Sequence, residues 1–230
     1  MKIAVYSNFY GGDHLINGNF NPVVAHTYPH FFYTNNAVAH HKAQGAGWTA
    51  ISVPTPVSAD PAVSNMQCKL EKVMPHILPE LRGFDILIYR DAKMKGLDFA
   101  MLPKIISKMQ AINAVAAFVV HPRCVIDEVV ESMFQPRYLK DRARIVGYVN
   151  EELAAGWAPV CPIHHGCNIS VRNQRHEDTE AMNTTWMRHI ERCGVQDQIS
   201  FHFIAQMFKI LPIPGEFGYR RSEVAVPGWE

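Results

Sequence analysis

The chain has 230 residues, 48% of them hydrophobic, with 22 lysines and arginines against 21 aspartates and glutamates. That length can bury a sizeable core, and a net charge of +1 excludes a strongly basic nucleic-acid surface and an acidic tail. No apolar run reaches the roughly 18 residues of a membrane-spanning helix.

In chain order, Lys2–Ser7 reads as a first buried strand, too short an apolar stretch for a signal peptide. A turn at Gly11-Gly12-Asp13 follows. Asn36–Gly45 reads as a short helix, ended by Gly45 and Gly47 before a strand over Trp48–Val53. Asp60-Pro61 starts a helix, with Asp as N-cap and Pro at the first helical position, running to Met74. Phe84–Tyr89 and Ala114–Val120 are continuous apolar runs of strand length, as in a parallel sheet covered on both faces. Helices are expected over Pro103–Gln110, Val125–Phe134 and Tyr138–Ala155. Cys167–Val171 reads as a strand. Asp178–Cys193 reads as a long helix closed by Gly194, and Gln196–Phe208 as a last helix. Strands alternating with helices imply an α/β, doubly wound, mostly parallel sheet with helices on both faces. No linker or repeat interrupts the chain. The expectation is one domain over 1–230, with its core to about 210 and a surface tail over 211–230.

Five cysteines (Cys68, Cys124, Cys161, Cys167, Cys193) without a secretory signal favour a reducing compartment and a cytoplasmic protein. The 12 histidines invite a metal reading. His26, His30, His40 and His41 share no metal-site spacing, and read as ordinary polar positions. Cys161, His164, His165 and Cys167 could supply zinc ligands, but no matching second pair exists. Alternatively, His164 and His165 enter a strand, one inward and one outward, or sit in a loop that faces substrate. Trp186 reads as core.

In open α/β sheets, ligands bind outside the carboxyl ends of the strands. Two strands end there in polar residues: Arg90, Asp91 and Lys93 on one, His121 and Arg123 on the other. Such residues either close loops or bind a phosphorylated ligand, the cations meeting phosphate and the carboxylate holding a metal or taking a proton. Asp91 stands in Asp91-Ala92-Lys93 rather than Asp-x-Asp, so a Mg²⁺ or Mn²⁺ there would need phosphate and water to complete its shell. Asp197-Gln198 opens the last helix, where an acid suits the dipole and could also face the cleft. No P-loop, G-x-G-x-x-G, G-x-S-x-G or H-E-x-x-H motif is present.

The ordered set of Lys69, Lys72, Pro75-His76, Leu78-Pro79, Asp85, Leu87-Ile88-Tyr89, Asp91-Ala92-Lys93, His121-Pro122-Arg123-Cys124, Asp127-Glu128, Gly166, Asn168-Ile169, Val171-Arg172, Trp186 and Asp197–Phe201 resembles a known family. This is the glycosyltransferase-like domain of the plant mucilage-related hexosyltransferases, which also includes the turgor-regulation-defect protein, described as an alkaline ceramidase. The resemblance covers about residues 65–205. Asn65-Met66-Gln67-Cys68 stands where family members carry arginines, and Ile88-Tyr89-Arg90 where they carry a tryptophan-containing strand.

The resemblance implies a GT-A-like fold, transfer of a hexose from a nucleotide diphosphate sugar to an acceptor, and a possible Mn²⁺ or Mg²⁺ cofactor at Asp91. It implies catalytic roles for Asp197, Asp91 and His121, with Asp197 positioning or deprotonating the acceptor. It implies donor or substrate contacts from Lys72, His76, Lys93, Arg123, His165, Asn168 and Gln198. The alternatives are an amide hydrolase acting on a ceramide-like substrate, with water activated by His121, His164 and His165, and a non-catalytic module that binds nucleotide sugars.

Overall fold

Continuously buried central strands and turn chemistry build a seven-stranded sheet. The computed structural model describes residues 1–16, 27–94, 96–218, 225, 226 and 229, so His26 lies outside the described residues. The strands are β1 (Ile3–Phe9), β2 (His30–Thr34), β3 (Thr49–Ser52), β4 (Ile86–Arg90), β5 (Ala116–His121), β6 (His164–Asn173) and β7 (Ile210–Ile213). The helices are α1 (Ala37–Gly45), α2 (Pro61–Gln67), α3 (Lys69–Val73), α4 (Leu102–Ala111), α5 (Val125–Ser132), α6 (Arg142–Ala154), α7 (Thr179–Cys193) and α8 (Asp197–Met207). Sheet order is β3-β2-β1-β4-β6-β5-β7. Among the described residues, only β6 runs antiparallel to its neighbours, β4 and β5.

Local chemistry explains the helix starts. The Asn36 side chain accepts a bond from Ala39 N–H at 2.8 Å, and Asp60 Oδ1 accepts one from Ala62 N–H at 2.9 Å. Both satisfy orphan donors of a first turn. The helix expected from Asp60 to Met74 is instead two, α2 and α3, which meet at Cys68. The Cys68 carbonyl there accepts a bond from Asn8 Nδ2.

The sheet is covered on both faces. On one face, α1 and α4 pack Ala39, Ala43, Ile105 and Met109 onto Val5, Ile88, Ala117 and Val171. On the other, α7 and α8 pack Trp186, Ile190, Phe201 and Ile204 onto Ala116 and Phe118. Trp186 is fully buried, as its core reading expects, and its indole N–H donates to Ser200 Oγ at 3.2 Å. An outer cluster of Tyr138, Ile145, Tyr148, Val195 and Phe203 fastens α5 and α6 to α8. Burial of this kind contributes about 1.5–3 kcal/mol per large side chain.

Three differences from the sequence reading have physical causes. β2 was not legible, because His30-Phe31-Phe32-Tyr33-Thr34 is short and opens on a histidine. β6 is longer than the expected Cys167–Val171: it begins at His164 and is a central strand. His164 and His165 are therefore both buried, and neither points outward. The expected surface tail from 211 instead begins in the sheet: β7 pairs in parallel with β5, and Phe217 is fully buried. Pro212, tolerated at a sheet edge, conceals that strand. Among the described residues, no helix is long and apolar enough to cross a membrane.

Candidate active site

The parallel strands β1, β4 and β5 end on one edge of the sheet, and a cleft of about 1620 Å³ opens there. Short α3 crosses this edge and carries Lys69 and Lys72 three residues apart, on one helical face. The first turn of α8 brings Asp197 to the same place. Asp197 Oδ2 lies 2.8 Å from both Lys69 Nζ and Lys72 Nζ, and all three residues are buried. Lys72 Nζ also stands 3.4 Å from Asp91 Oδ1, at the end of β4, and 5.0 Å from the centroid of the Tyr89 ring.

Asp91 is held from several sides. Tyr89 O–H donates to Asp91 Oδ1 at 2.9 Å, and Lys93 Nζ is 3.8 Å from Oδ2. The Asp91 N–H donates to the Asn168 carbonyl at 2.8 Å, which ties β4 to β6. Tyr89 O–H also lies 3.1 Å from Asn8 Oδ1, at the end of β1. The result is a chain of polar groups running from β1 through β4 to α3 and α8.

The electrostatics follow from these contacts. Burial alone would raise the Asp197 carboxyl, but Lys69 and Lys72 outweigh it and hold that group well below the usual carboxylate range. Burial would lower Lys72, yet Asp197 and Asp91 keep it well above its ordinary value. Burial pushes the Tyr89 hydroxyl up, with Asp91 adding to the effect. Asp197 is thus a buried anion locked between two ammonium groups, and a weak proton acceptor at neutral pH.

The rim carries the more accessible charges. The Lys93 side chain is 46% exposed. Arg123, after β5, is ion-paired with Glu131 on α5. His121 ends β5 with its ring partly exposed to the cleft, and Glu128 lies beside it.

Of the residues expected at the site, Asp91, Asp197, His121, Lys72, Lys93, Arg123, Asn168 and Gln198 all line this cleft. His76 and His165 do not. His76 Nδ1 is 3.1 Å from Asn183 Nδ2, on α7. His165 is buried between Phe118 and Phe201. The expected His121–His164–His165 grouping therefore does not assemble, and Glu128 takes the place of His165. Cys161 Sγ stands 4.0 Å from His202 Nε2, whereas Cys167 Sγ is buried against the Asp197 carbonyl, so the two cysteines serve different neighbours. Sequence reasoning gave no site role to Lys69, Tyr89 or Glu128. The three-residue spacing of Lys69 and Lys72 was the available signal for the first.

A divalent cation at Asp91 does not fit this arrangement. The carboxylate already faces the ammonium groups of Lys72 and Lys93 and accepts a hydrogen bond from the Tyr89 hydroxyl. Mg²⁺ or Mn²⁺ would have to displace or approach those cations with one carboxylate as its protein ligand.

No protein-family model matches the chain, and no curated protein matches it. Solved structures do. The WbbM bifunctional glycosyltransferase, in its apo form, superposes with a TM-score of 0.50 at 12% identity, covering 94% of this chain and 39% of its own. Mouse xyloside xylosyltransferase 1, also apo, superposes with a TM-score of 0.51 at 11% identity, covering 93% of this chain and 85% of its own.

The fold is GT-A-like. This chain spans about two-fifths of the length of the first of these proteins. In the GT-A-like sheet, the lysine pair, Asp91 and Asp197 occupy the carboxyl edge of the strands, the position that open α/β sheets use for ligands.

Proposed function

We propose that the cleft binds a nucleotide diphosphate sugar and transfers its hexose to an acceptor hydroxyl. The observation that carries this reading is the Lys69–Asp197–Lys72–Asp91 network at the carboxyl edge of a GT-A-like sheet. In the transfer, the bond from the anomeric carbon to phosphate breaks and a bond to the acceptor oxygen forms. The nucleoside diphosphate leaves with the electron pair, and the acceptor hydroxyl's proton passes to the leaving diphosphate or to water. Negative charge grows on the leaving diphosphate, where fixed cations stabilise it most.

In this reading Lys72, Lys93 and Arg123 supply that positive field. Asp197 positions the two lysines rather than serving as the base. Asp91, its side chain 23% exposed, orients a hydroxyl of the ribose or sugar, and Asn168 and Gln198 line the wall beside it. No step requires a metal at Asp91.

A thermal-shift screen of nucleotide sugars and nucleoside diphosphates, with and without chelator, tests the reading. At a concentration about 100 times Kd, the bound ligand stabilises the fold by about 2.7 kcal/mol. A rise in melting temperature that survives chelation is expected. No shift from any nucleotide at millimolar concentration would overturn it.

A further inference from the structure

Beside the cleft, three side chains from β5, α5 and β6 converge without a role in the transfer described above. They are His121, Glu128 and His164, whose ligand-capable atoms all lie within 4.8 Å of one another. The topology brings them together. β5 and β6 pair so that His121 stands opposite His164, and the first turns of α5 return Glu128 over the end of β5. His121 Nδ1 is 3.4 Å from Glu128 Oε1. The other carboxylate oxygen, Oε2, accepts a bond from Gln196 Nε2 at 3.1 Å, which fixes the carboxylate plane.

The decisive feature is His164. It is 6% exposed, and neither ring nitrogen has a hydrogen-bond partner. A buried polar group left without a partner costs on the order of 1–3 kcal/mol, and such a group calls for an explanation. The His121 ring is its neighbour at 5.6 Å between centroids. Nitrogen, nitrogen and carboxylate oxygen form the donor set of three-ligand zinc sites, which keep a fourth position open. With metal–ligand bonds of about 2.0–2.2 Å, the edge of a zinc tetrahedron is about 3.4 Å, the observed separation of His121 Nδ1 and Glu128 Oε1.

We propose that His121, Glu128 and His164 form a binding site for a divalent transition-metal ion of the zinc class. Its open coordination position faces the cleft, because His121 and Glu128 line it. Gln196 is the outer partner that orients the carboxylate, the role such neighbours play at metal sites. The site is distinct from Asp91, whose oxygens face lysines. Its existence does not depend on sugar transfer.

The test uses the 230-residue chain stripped of metal with a chelator and titrated with Co²⁺. One equivalent is expected to bind, with visible absorption of a four- or five-coordinate ion and no thiolate charge-transfer band in the near ultraviolet. Zn²⁺ is expected to displace it and to raise the melting temperature. His121→Ala removes a partly exposed ligand and should weaken Co²⁺ binding by roughly 100-fold, the upper end of the loss seen even for outer-shell partners. Glu128→Gln keeps the side-chain volume and should weaken it roughly tenfold or more. Circular dichroism of both variants establishes that they fold, and if one does not, the other carries the test. No Co²⁺ uptake by the wild type, uptake unchanged in both variants, or a thiolate band would overturn the proposal.

Discussion

Lys72 Nζ and Asp197 Oδ2 are 2.8 Å apart, with the two side chains 6% and 8% exposed, although 125 positions separate them in the chain. The pair joins α3 to the start of α8 directly beneath the cleft. A buried pair of this kind adds little when intact compared with a hydrophobic replacement, but breaking it leaves an uncompensated charge.

Asp197→Asn therefore has a large expected effect. It leaves Lys69 and Lys72 buried side by side, with Asp91 as the remaining carboxylate near Lys72. The expected loss is about 3–5 kcal/mol of folding free energy, read from urea denaturation at neutral pH. Lys72→Met should cost less, because Lys69 still pairs with Asp197. Equal stability of the wild type and Asp197→Asn would show that the network is not holding α3 to α8.

Lys93 separates binding from folding. Its side chain is 46% exposed and its ion pair with Asp91 is long, at 3.8 Å. Lys93→Ala should leave the melting temperature unchanged within about 0.5 kcal/mol of stability. It should weaken nucleoside diphosphate binding roughly tenfold, as loss of one charge-assisted contact does. Calorimetric titration reads the second effect. Undiminished affinity would remove Lys93 from the phosphate site.

The pH dependence of stability has a definite sign. Burial lowers His165 to about 4, against an ordinary value near 6.5. The unfolded chain takes up a proton below pH 6.5 while the folded chain does not, so stability is full above that pH and falls as pH drops toward 4. The slope from this one histidine approaches about 1.4 kcal/mol per pH unit. Asp197, held low, contributes its stability above an unfolded value near 3.9 and loses it only in stronger acid. Lys72, held high, contributes below an unfolded value near 10.4 and loses it only in strong alkali. Between about pH 7 and 4.5 His165 therefore contributes a slope of this sign, while Asp197 and Lys72 contribute none. His165→Asn should flatten the profile measured by urea denaturation, and an unchanged slope would contradict the assignment.

Gly194 links α7 to α8 at φ 102°, and a Cβ added there would come within 2.9 Å of the Asp141 carboxyl. Gly194→Ala should cost about 1–3 kcal/mol. Differential scanning calorimetry should show a melting point lower by a few degrees. No decrease would mean that the link relaxes freely.

Much of this architecture is visible in the amino-acid pattern. The apolar runs around Ile86–Tyr89 and Ala116–Val120 announce buried strands, and the residues that follow them, Asp91, Lys93, His121 and Arg123, do line the cleft. Asp60-Pro61 caps the helix start it predicts, and Asn36, read as the first helical residue, is the cap of α1. What escapes is long-range. Nothing local places α8 against α3, so Asp197 reads as an isolated acid when it is the partner of two lysines. Nothing local distinguishes His164 from His165, which go respectively to the His121–Glu128 cluster and to an aromatic cluster with Phe118 and Phe201. Ile210–Ile213 carries a proline and gains its strand character only by pairing with β5.

In the proposed reading, this cleft holds a nucleotide diphosphate sugar by its phosphates. A crystal structure of the wild-type chain, grown with a nucleoside diphosphate at millimolar concentration, tests it most directly. Diphosphate oxygens are expected at about 3 Å, hydrogen-bond distance, from Lys72, Lys93 or Arg123, at the carboxyl edge of β4 and β5. A nucleotide bound elsewhere, or a cleft left empty at that concentration, would contradict it.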